Sequence, residues 1–254
     1  MLSSKEEYRM MYEAEEKLWW YRILHEKILK EIQKKYAQNN EINILDAGCG
    51  TGGLMTFLIN KGYRNIQGFD FSEDAVSFCK ERKLNVQQVD LTNFDTEFPD
   101  IFFDVIINDD VLYQFEDAII KKSIRNLEIK LKSNGILISN NNAFDIFFGT
   151  HDIAVGGKQR FIKSDFDSFL VGSKLQILKS SYWSLLLSPL ILSVRLLQQF
   201  QLKLNLLDRS KIKSDVNVPS DLVNNLLYKI VKLEEAIFNK GIFGSSLFLV
   251  MLKK

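Results

Sequence analysis

Ile44-Leu45-Asp46-Ala47-Gly48-Cys49-Gly50-Thr51-Gly52-Gly53 is the stretch that decides the fold. The apolar run Ile42 to Leu45 reads as a buried strand, and Leu54 to Ile59 opens an apolar periodic stretch directly behind the glycines. A strand, a glycine-rich turn and a helix in this order let backbone pass close to a ligand, because glycine has no Cβ to intrude and tolerates positive φ. The start of the helix offers unpaired N–H groups at the same spot. Asp46 falls at the strand's C-terminal edge, where open α/β sheets bind ligands. A tight strand-to-helix turn without a ligand is the plainer reading of the same decamer.

Gly48, Gly50 and Gly53 also satisfy the G-x-G-x-x-G fingerprint of dinucleotide-binding domains. The glycines alone therefore leave a nicotinamide or flavin protein open. The surrounding register differs from that form: Gly48, Gly50 and Gly52 alternate, and an acid stands two residues before the first of them. In this the segment resembles the first motif of the class I S-adenosylmethionine-dependent methyltransferases.

The downstream chain extends the resemblance. Asn65 to Phe71 reads as a second strand ending at Asp70, at roughly the twenty-residue spacing of a ribose-binding acid. Ser72-Glu73-Asp74 supplies an N-cap and first-turn acids for a helix to about Arg82. A third strand, Asn85 to Val89, ends at Asp90 and Leu91. Acids at the ends of strands one, two and three (Asp46, Asp70, Asp90) resemble the methyltransferase pattern more than that of other nucleotide-binding classes. The fourth strand, Phe103 to Asn108, is apolar on both faces, as a central parallel strand should be. It resembles the family's fourth motif, which ends beside the transferable methyl group. Where many relatives carry a histidine after Val-Leu, this chain has Tyr113.

The resemblance implies a set of site residues. Asp46, Gly48, Cys49, Gly50 and Gly52 belong to the turn that admits the methionine end of the cofactor. Asp70 with Phe71 faces the ribose, Asp90 with Leu91 the adenine, and Asn108 the methyl position. Asp109, Asp110, Tyr113 and His151 are the candidates for an acid or base, against an equally plain reading of the acids as turn formers. Arg160, Trp19 and Tyr21 are candidates for the acceptor. Lys158 and Arg160 are basic residues suited to an anionic group, or are solvated loop charges.

Helix and strand go on alternating. Asp117 to Leu131 carries a buried stripe at Ile120, Ile124, Leu127 and Leu131, with Gly135 as the expected C-terminal cap. A fifth strand, Ile136 to Ser139, runs into Asn140-Asn141-Asn142, which read as loop residues and are secondary candidates for facing the substrate. Ser164 and Asp165 are expected to cap a further helix. Pro219-Ser220-Asp221 starts an amphipathic helix, Leu222 to Phe238, and Gly241 and Gly244 precede a last strand, Ser246 to Leu252. The resemblance makes that strand antiparallel.

Two flanking regions stand outside this pattern. Ser3 to Tyr36 is helical in period and contains Leu18-Trp19-Trp20-Tyr21. Such aromatics serve as core anchors, or as a cap over bound cofactor. The acid-rich segment followed by Trp-Trp-aromatic and arginine is loosely similar to the entry of a bacterial methyltransferase subgroup associated with glycan and lipid biosynthesis. Trp183 to Phe200 is apolar but interrupted by Pro189 and Arg195, and is too short to span a bilayer. It reads first as a buried helix across the active-site edge and second as a membrane-surface or lipid-tail-binding helix. Asp208 to Asn217 reads as an exposed loop.

Composition bounds the rest. A chain of 254 residues accommodates one sizeable core with embellishments. With a net charge of +1 and no basic stripe, nucleic acid is not the expected partner. Cys49 and Cys79, far apart in sequence, fit a reducing compartment, and the two histidines give no cluster for a zinc site, so no metal is expected. The charged start of the chain (Lys5, Glu6, Glu7, Arg9) is unlike a secretory signal, and a cytoplasmic location is the expectation.

The sequence thus predicts one α/β domain over residues 1–254: a doubly wound, mostly parallel seven-stranded sheet with an antiparallel last strand. Residues 1–40 form a helical cap, 41–182 the nucleotide-binding core, 183–240 a helical lid or insertion, and 241–254 the final strand. The resemblance implies methyl transfer from S-adenosylmethionine to a small molecule or a glycan or lipid precursor, leaving S-adenosylhomocysteine, with peripheral membrane contact as an accompanying expectation. A non-catalytic or nicotinamide-dependent protein of the same fold is the alternative. Oligomeric state is not specified by the sequence.

Overall fold

The computed structural model describes residues 5–94, 97–98, 100–208, 212, 214, 216–238 and 240–254. Two N-terminal helices, α1 (Lys5–Ala14) and α2 (Trp19–Tyr36), precede the glycine-turn unit β1 (Ile44–Ala47) and α3 (Gly53–Asn60). Then come β2 (Ile66–Asp70), α4 (Glu73–Glu81), β3 (Val86–Gln88) and β4 (Phe103–Asp109). They are followed by α5 (Asp117–Lys130), β5 (Leu131–Asn142), α6 (Thr150–Ala154) and α7 (Lys163–Phe169). The chain closes with β6 (Leu175–Trp183), α8 (Ser188–Lys203), α9 (Asp221–Ile237) and β7 (Ser246–Lys253).

The strands form one seven-stranded sheet in the order β3-β2-β1-β4-β5-β7-β6. β1 pairs in parallel with β2 and β4, and β7 runs antiparallel between β5 and β6. Successive strand residues point to opposite faces, and the burial follows that rule. Leu45, Ile106, Leu137, Leu249 and Met251 pack on one side with Ile120, Ile124 and Leu127 of α5 and Phe166 of α7. Ile44, Val105, Ile107, Ile138 and Val250 pack on the other, with Ile23, Ile28 and Ile32 of α2, Met55 of α3 and Val231 of α9. Both faces are covered, which is why the central strands are almost uniformly apolar.

Several local expectations are corrected. The N-terminal helical stretch is two helices broken at residues 15–18, and Ser3 and Ser4 at its start lie outside the described residues. Much of the exposed loop expected over Asp208 to Asn217 also lies outside them. α5 runs straight into an extended Leu131, and the left-handed residue is Asn134 (φ 63°), not Gly135. Asparagine tolerates that conformation better than most residues. The asparagines at 140–142 are strand, not loop, because each pairs with β7. Asn140 also accepts a hydrogen bond from Trp183 Nε1 at 3.0 Å. Ser164 does not cap α7; Asp165 does so by reaching back to accept from the Ile162 N–H at 2.8 Å. β6 has no counterpart among the expected strands. It is an edge strand with Lys179-Ser180-Ser181 in its middle, so it carries no apolar run. Cys49 and Cys79 are neighbours in space, with sulfurs 4.0 Å apart.

Candidate active site

The strand order reverses between β1 and β4, and the crevice at such a switch point is where open α/β sheets bind ligands. Asn108 ties the two adjoining strands together there: its Nδ2 donates to the Ala47 carbonyl at 2.7 Å, and the side chain is buried. Above it, the C-terminal ends of β1 to β4 open on a cavity of about 630 Å³.

The glycine turn forms the floor. Gly48, Gly50 and Gly52 all adopt positive φ (86°, 54° and 83°). Glycine alone takes these at little cost. A Cβ at Gly48 would lie 2.4 Å from Val111 Cγ2, and one at Gly50 2.5 Å from Met11 Cε. The turn is pinned by Asp70, whose Oδ2 accepts from the Gly50 N–H at 2.9 Å while Oδ1 accepts from the Ser72 N–H at 2.9 Å. Asp90, just beyond β3, closes that strand end in the same manner, accepting from the Thr92 N–H at 2.8 Å.

Of the residues singled out from sequence, Gly48, Gly50, Asp70, Phe71, Asp90 and Leu91 line the cavity. Asp46, Cys49 and Asn108 are buried behind it, and Gly52 packs towards Leu84 and Cys79. The candidates Asp109, Asp110, Tyr113 and His151 line its upper wall, as do Trp19, Tyr21 and Arg160. His151 lies on the short helix α6 rather than on a loop. The Arg160 guanidinium is held in a two-point pair with Asp152 (2.9 and 3.0 Å) and donates to the Ala143 carbonyl at 3.1 Å. Its charge is thus largely matched within the protein. Lys158 pairs with Glu116 at 2.8 Å on the surface.

Sequence reasoning missed the part played by α1 and the junction that follows it. Tyr8 and Met11 line the cavity. Glu15 reaches the back of the glycine turn, where its Oε2 accepts from Thr51 Oγ1 at 2.5 Å. This sets its carboxylate beside the positive start of α3. Gly53 is small because Glu15 lies there: a Cβ would sit 2.4 Å from Glu15 Cβ. Arg82 completes the cluster, pairing with Glu15 at 3.4 Å and Glu16 at 2.6 Å. A fourth glycine beyond the alternating three was the one signal for this contact. Ile191 and Arg195 of α8 add the far wall.

Electrostatically the site is rich in acid. Burial pushes Asp46 up to about 8, with the nearby charges of Glu15 and Asp70 adding to it. Burial raises Glu15 to about 7 against the lowering effect of Thr51 and Arg82. Asp110 is raised to about 7 by burial, partly opposed by Arg160. Asp109 is held well above the usual carboxylate range by burial and then by Asp110 and Asp46. Its Oδ1 is buried and meets no hydrogen-bond partner among the described residues. Asp110 takes a positive φ of 48° while its N–H donates to the Asn140 carbonyl at 2.9 Å. Non-glycine residues in this region store about 1–3 kcal/mol of strain and cluster at functional sites. A cavity walled by carboxylates favours a ligand that brings positive charge.

Fold and site together define a Rossmann-like ligand-binding protein with its pocket at the β1/β4 switch point. Comparison with known proteins shows what the chain is similar to. The model of a methyltransferase domain matches residues 38–156. The chain is 33% identical over 114 residues to malonyl-[acyl-carrier protein] O-methyltransferase of Bacillus anthracis, covering 44% of this chain and 41% of that one. It is 29% identical over 136 residues to ubiquinone biosynthesis O-methyltransferase of Rickettsia felis, covering 47% of this chain and 54% of that one. The chain therefore spans about half the length of these curated relatives. A SAM-dependent methyltransferase of Archaeoglobus fulgidus has the same fold, with TM-score 0.57 at 16% identity over 90% of this chain and 94% of that one. Residues 38–156 are thus similar to a methyltransferase domain, and the fold is the one that S-adenosylmethionine-dependent methyltransferases share.

Proposed function

We propose that this protein transfers the methyl group of S-adenosylmethionine to a nucleophilic atom of a small molecule or of a glycan or lipid precursor. S-adenosylhomocysteine is the other product. The observation that carries this reading is the acid-lined cavity over the glycine turn. Asp70, Asp90, Asp109 and Asp110 line it. A dinucleotide would bring an anionic pyrophosphate to these carboxylates, whereas S-adenosylmethionine brings a sulfonium and an ammonium. The nicotinamide alternative is disfavoured on that ground.

When bound, the cofactor supplies a methyl group already activated by a positively charged sulfur. What is left to the protein is to orient, to exclude water and to handle a proton. In this reading Gly48 and Gly50 receive the methionine end, Asp70 and Phe71 the ribose, and Asp90 and Leu91 the adenine. Asp46, Cys49, Gly52 and Asn108 are positioning residues, since they stand behind the cavity wall. Trp19, Tyr21, Tyr113, His151 and Arg160 surround the acceptor space. Orientation of two reactants in such a pocket is worth about 7–11 kcal/mol in favourable cases. Asp110, raised to about 7 by burial, is matched to hold or take the proton of an acceptor hydroxyl near neutral pH. A lipid-linked acceptor sits at a membrane surface, so peripheral contact with such a surface belongs to the same proposal. Among the described residues no helix is long and apolar enough to cross a membrane.

The test is the Asp109→Asn variant titrated with S-adenosylmethionine and S-adenosylhomocysteine. The variant lacks an acid that gives up its proton when a sulfonium binds beside it, so the methylated cofactor should weaken relative to its product by about tenfold, or 1.4 kcal/mol. The ratio is insensitive to a general loss of fold. An unchanged ratio with both ligands bound would remove Asp109 from the methyl site.

A further inference from the structure

Most surface helices turn leucines inward and polar residues outward. α8 does the reverse. Leu190, Val194, Leu197, Phe200 and Leu204, in the helix and at its end, recur at steps of four, three, three and four and so share one face. They are between 45% and 60% exposed. Arg195, Gln198 and Gln199 face inward. Gln199 Nε2 donates to the Phe148 carbonyl at 2.7 Å, and Gln198 Oε1 accepts from Arg195 at 2.8 Å and from the Thr150 N–H at 3.3 Å. Arg195 and Ile191, on this inner side, line the cavity. The buried helix expected from sequence is thus an inverted one.

α9 buries Val231 in the core and is apolar on its outer side as well. Leu222, Leu226, Leu233 and Ile237 form an outward stripe, between 54% and 80% exposed, and an exposed Ile242 follows. Its inward residues include Asn224, which accepts from the Trp19 N–H at 2.8 Å, and Glu234, which accepts from the Leu186 N–H at 2.9 Å. Large apolar patches of this kind mark an interaction site. Lys203 closes α8, Lys229 stands within the α9 stripe and Lys240 follows it, all exposed, while α8 contains no acid.

We propose that the outward faces of α8 and α9 seat this protein in the plane of an anionic lipid bilayer. Neither helix is long and apolar enough to cross one, and a leucine face with basic residues at its margins is the pattern of an in-plane helix. Lysines among the leucines reach up to phosphate headgroups while their stems stay apolar. The position of the cavity adds a consequence that rests on the methyltransferase reading. Only the width of α8 separates the lipid-facing leucines from Arg195 and Ile191 at the cavity wall. An acceptor anchored in the bilayer by an apolar tail can therefore present its polar head to the site.

The test uses the full chain and vesicles of phosphatidylcholine, alone or mixed with phosphatidylglycerol. The wild type should co-sediment with the mixed vesicles and much less with the neutral ones, and should release at high salt. In the double variant Leu197→Glu, Phe200→Glu the vesicle affinity should fall about a hundredfold or more, the effect of losing two large buried apolar side chains. S-adenosylhomocysteine affinity of wild type and variant is measured alongside and should be equal. Failure of the wild type to sediment with either vesicle overturns the docking surface. So does a dimer in light scattering that the double variant dissolves without any vesicle binding. Loss of S-adenosylhomocysteine binding in the wild type would instead sink the methyltransferase reading and leave the docking result to stand by itself.

Discussion

Glu15→Gln tests whether the N-terminal helices are part of the cofactor site or only packed beside it. Glu15 is buried, accepts from Thr51 at the start of α3 and shares Arg82 with the exposed Glu16. Glutamine keeps the shape and one carbonyl acceptor but not the charge. At acidic pH Glu15 is protonated in both folded and unfolded chains, so the substitution is nearly isosteric and costs only a hydrogen bond or two. Each is worth about 0.5–1.5 kcal/mol. The folded value is raised to about 7 from an ordinary 4.5. A raised acid contributes stability that is fully present below the unfolded value and is lost as pH rises through the folded one. Each pH unit between those two values is worth about 1.4 kcal/mol. Between about pH 4.5 and 7 the wild type should therefore lose up to roughly 3 kcal/mol that the variant does not lose. Urea denaturation of both proteins at pH 5 and pH 8 measures this. The deficit of Glu15→Gln should be largest at the lower pH and should shrink or reverse at the higher. A deficit that grows with pH would mean that Arg82 holds Glu15 ionised, and would refute burial as the dominant influence on this carboxylate.

Three further perturbations probe the same geometry. Asp70→Ala should weaken S-adenosylhomocysteine binding by about 1.5–3 kcal/mol, the range for hydrogen bonds to a charged group; calorimetry showing unchanged affinity in a folded variant would remove the ribose role. Gly50→Ala places a Cβ 2.5 Å from Met11 Cε at a φ of 54°. It should lose cofactor binding, and the paired change Gly50→Ala, Met11→Ala should recover only the steric part. Hydrogen exchange with and without S-adenosylhomocysteine should show protection in α1 and at residues 18–21 as well as in the glycine turn, and protection limited to the turn would reduce the N-terminal helices to core.

Much of this site could be read from the chain because it is local. The strand-end acids Asp70 and Asp90 and the alternating glycines belong to the βα repeat, and a repeat is visible as a period in sequence. What stayed hidden depends on contacts between distant segments. Glu15 meets Thr51 across 36 residues, and no local pattern distinguishes that carboxylate from its exposed neighbour Glu16. The three asparagines look like a loop because their burial is supplied by β7 and, for Asn140, by Trp183, rather than by their own apolarity. β6 was invisible for the same reason, since its order comes from pairing along an edge. The inversion of α8 was legible only in part. Its leucines mark an apolar helix, but which face meets water depends on the hydrogen bonds of Gln198 and Gln199 to residues 148–150.

If the cavity is built for a cationic cofactor, ligand charge and proton release must be linked. Calorimetric titration with S-adenosylmethionine and S-adenosylhomocysteine at pH 7, in two buffers of different ionisation enthalpy, tests this most directly. A sulfonium beside Asp109 and Asp110 lowers their proton affinity, and Asp110 at about 7 is part-protonated at this pH. Binding of S-adenosylmethionine should therefore release more protons than binding of S-adenosylhomocysteine, while NAD and NADP should give no heat of binding. Equal proton release for the two adenosyl ligands, or tight binding of either dinucleotide, would contradict a site built around positive charge.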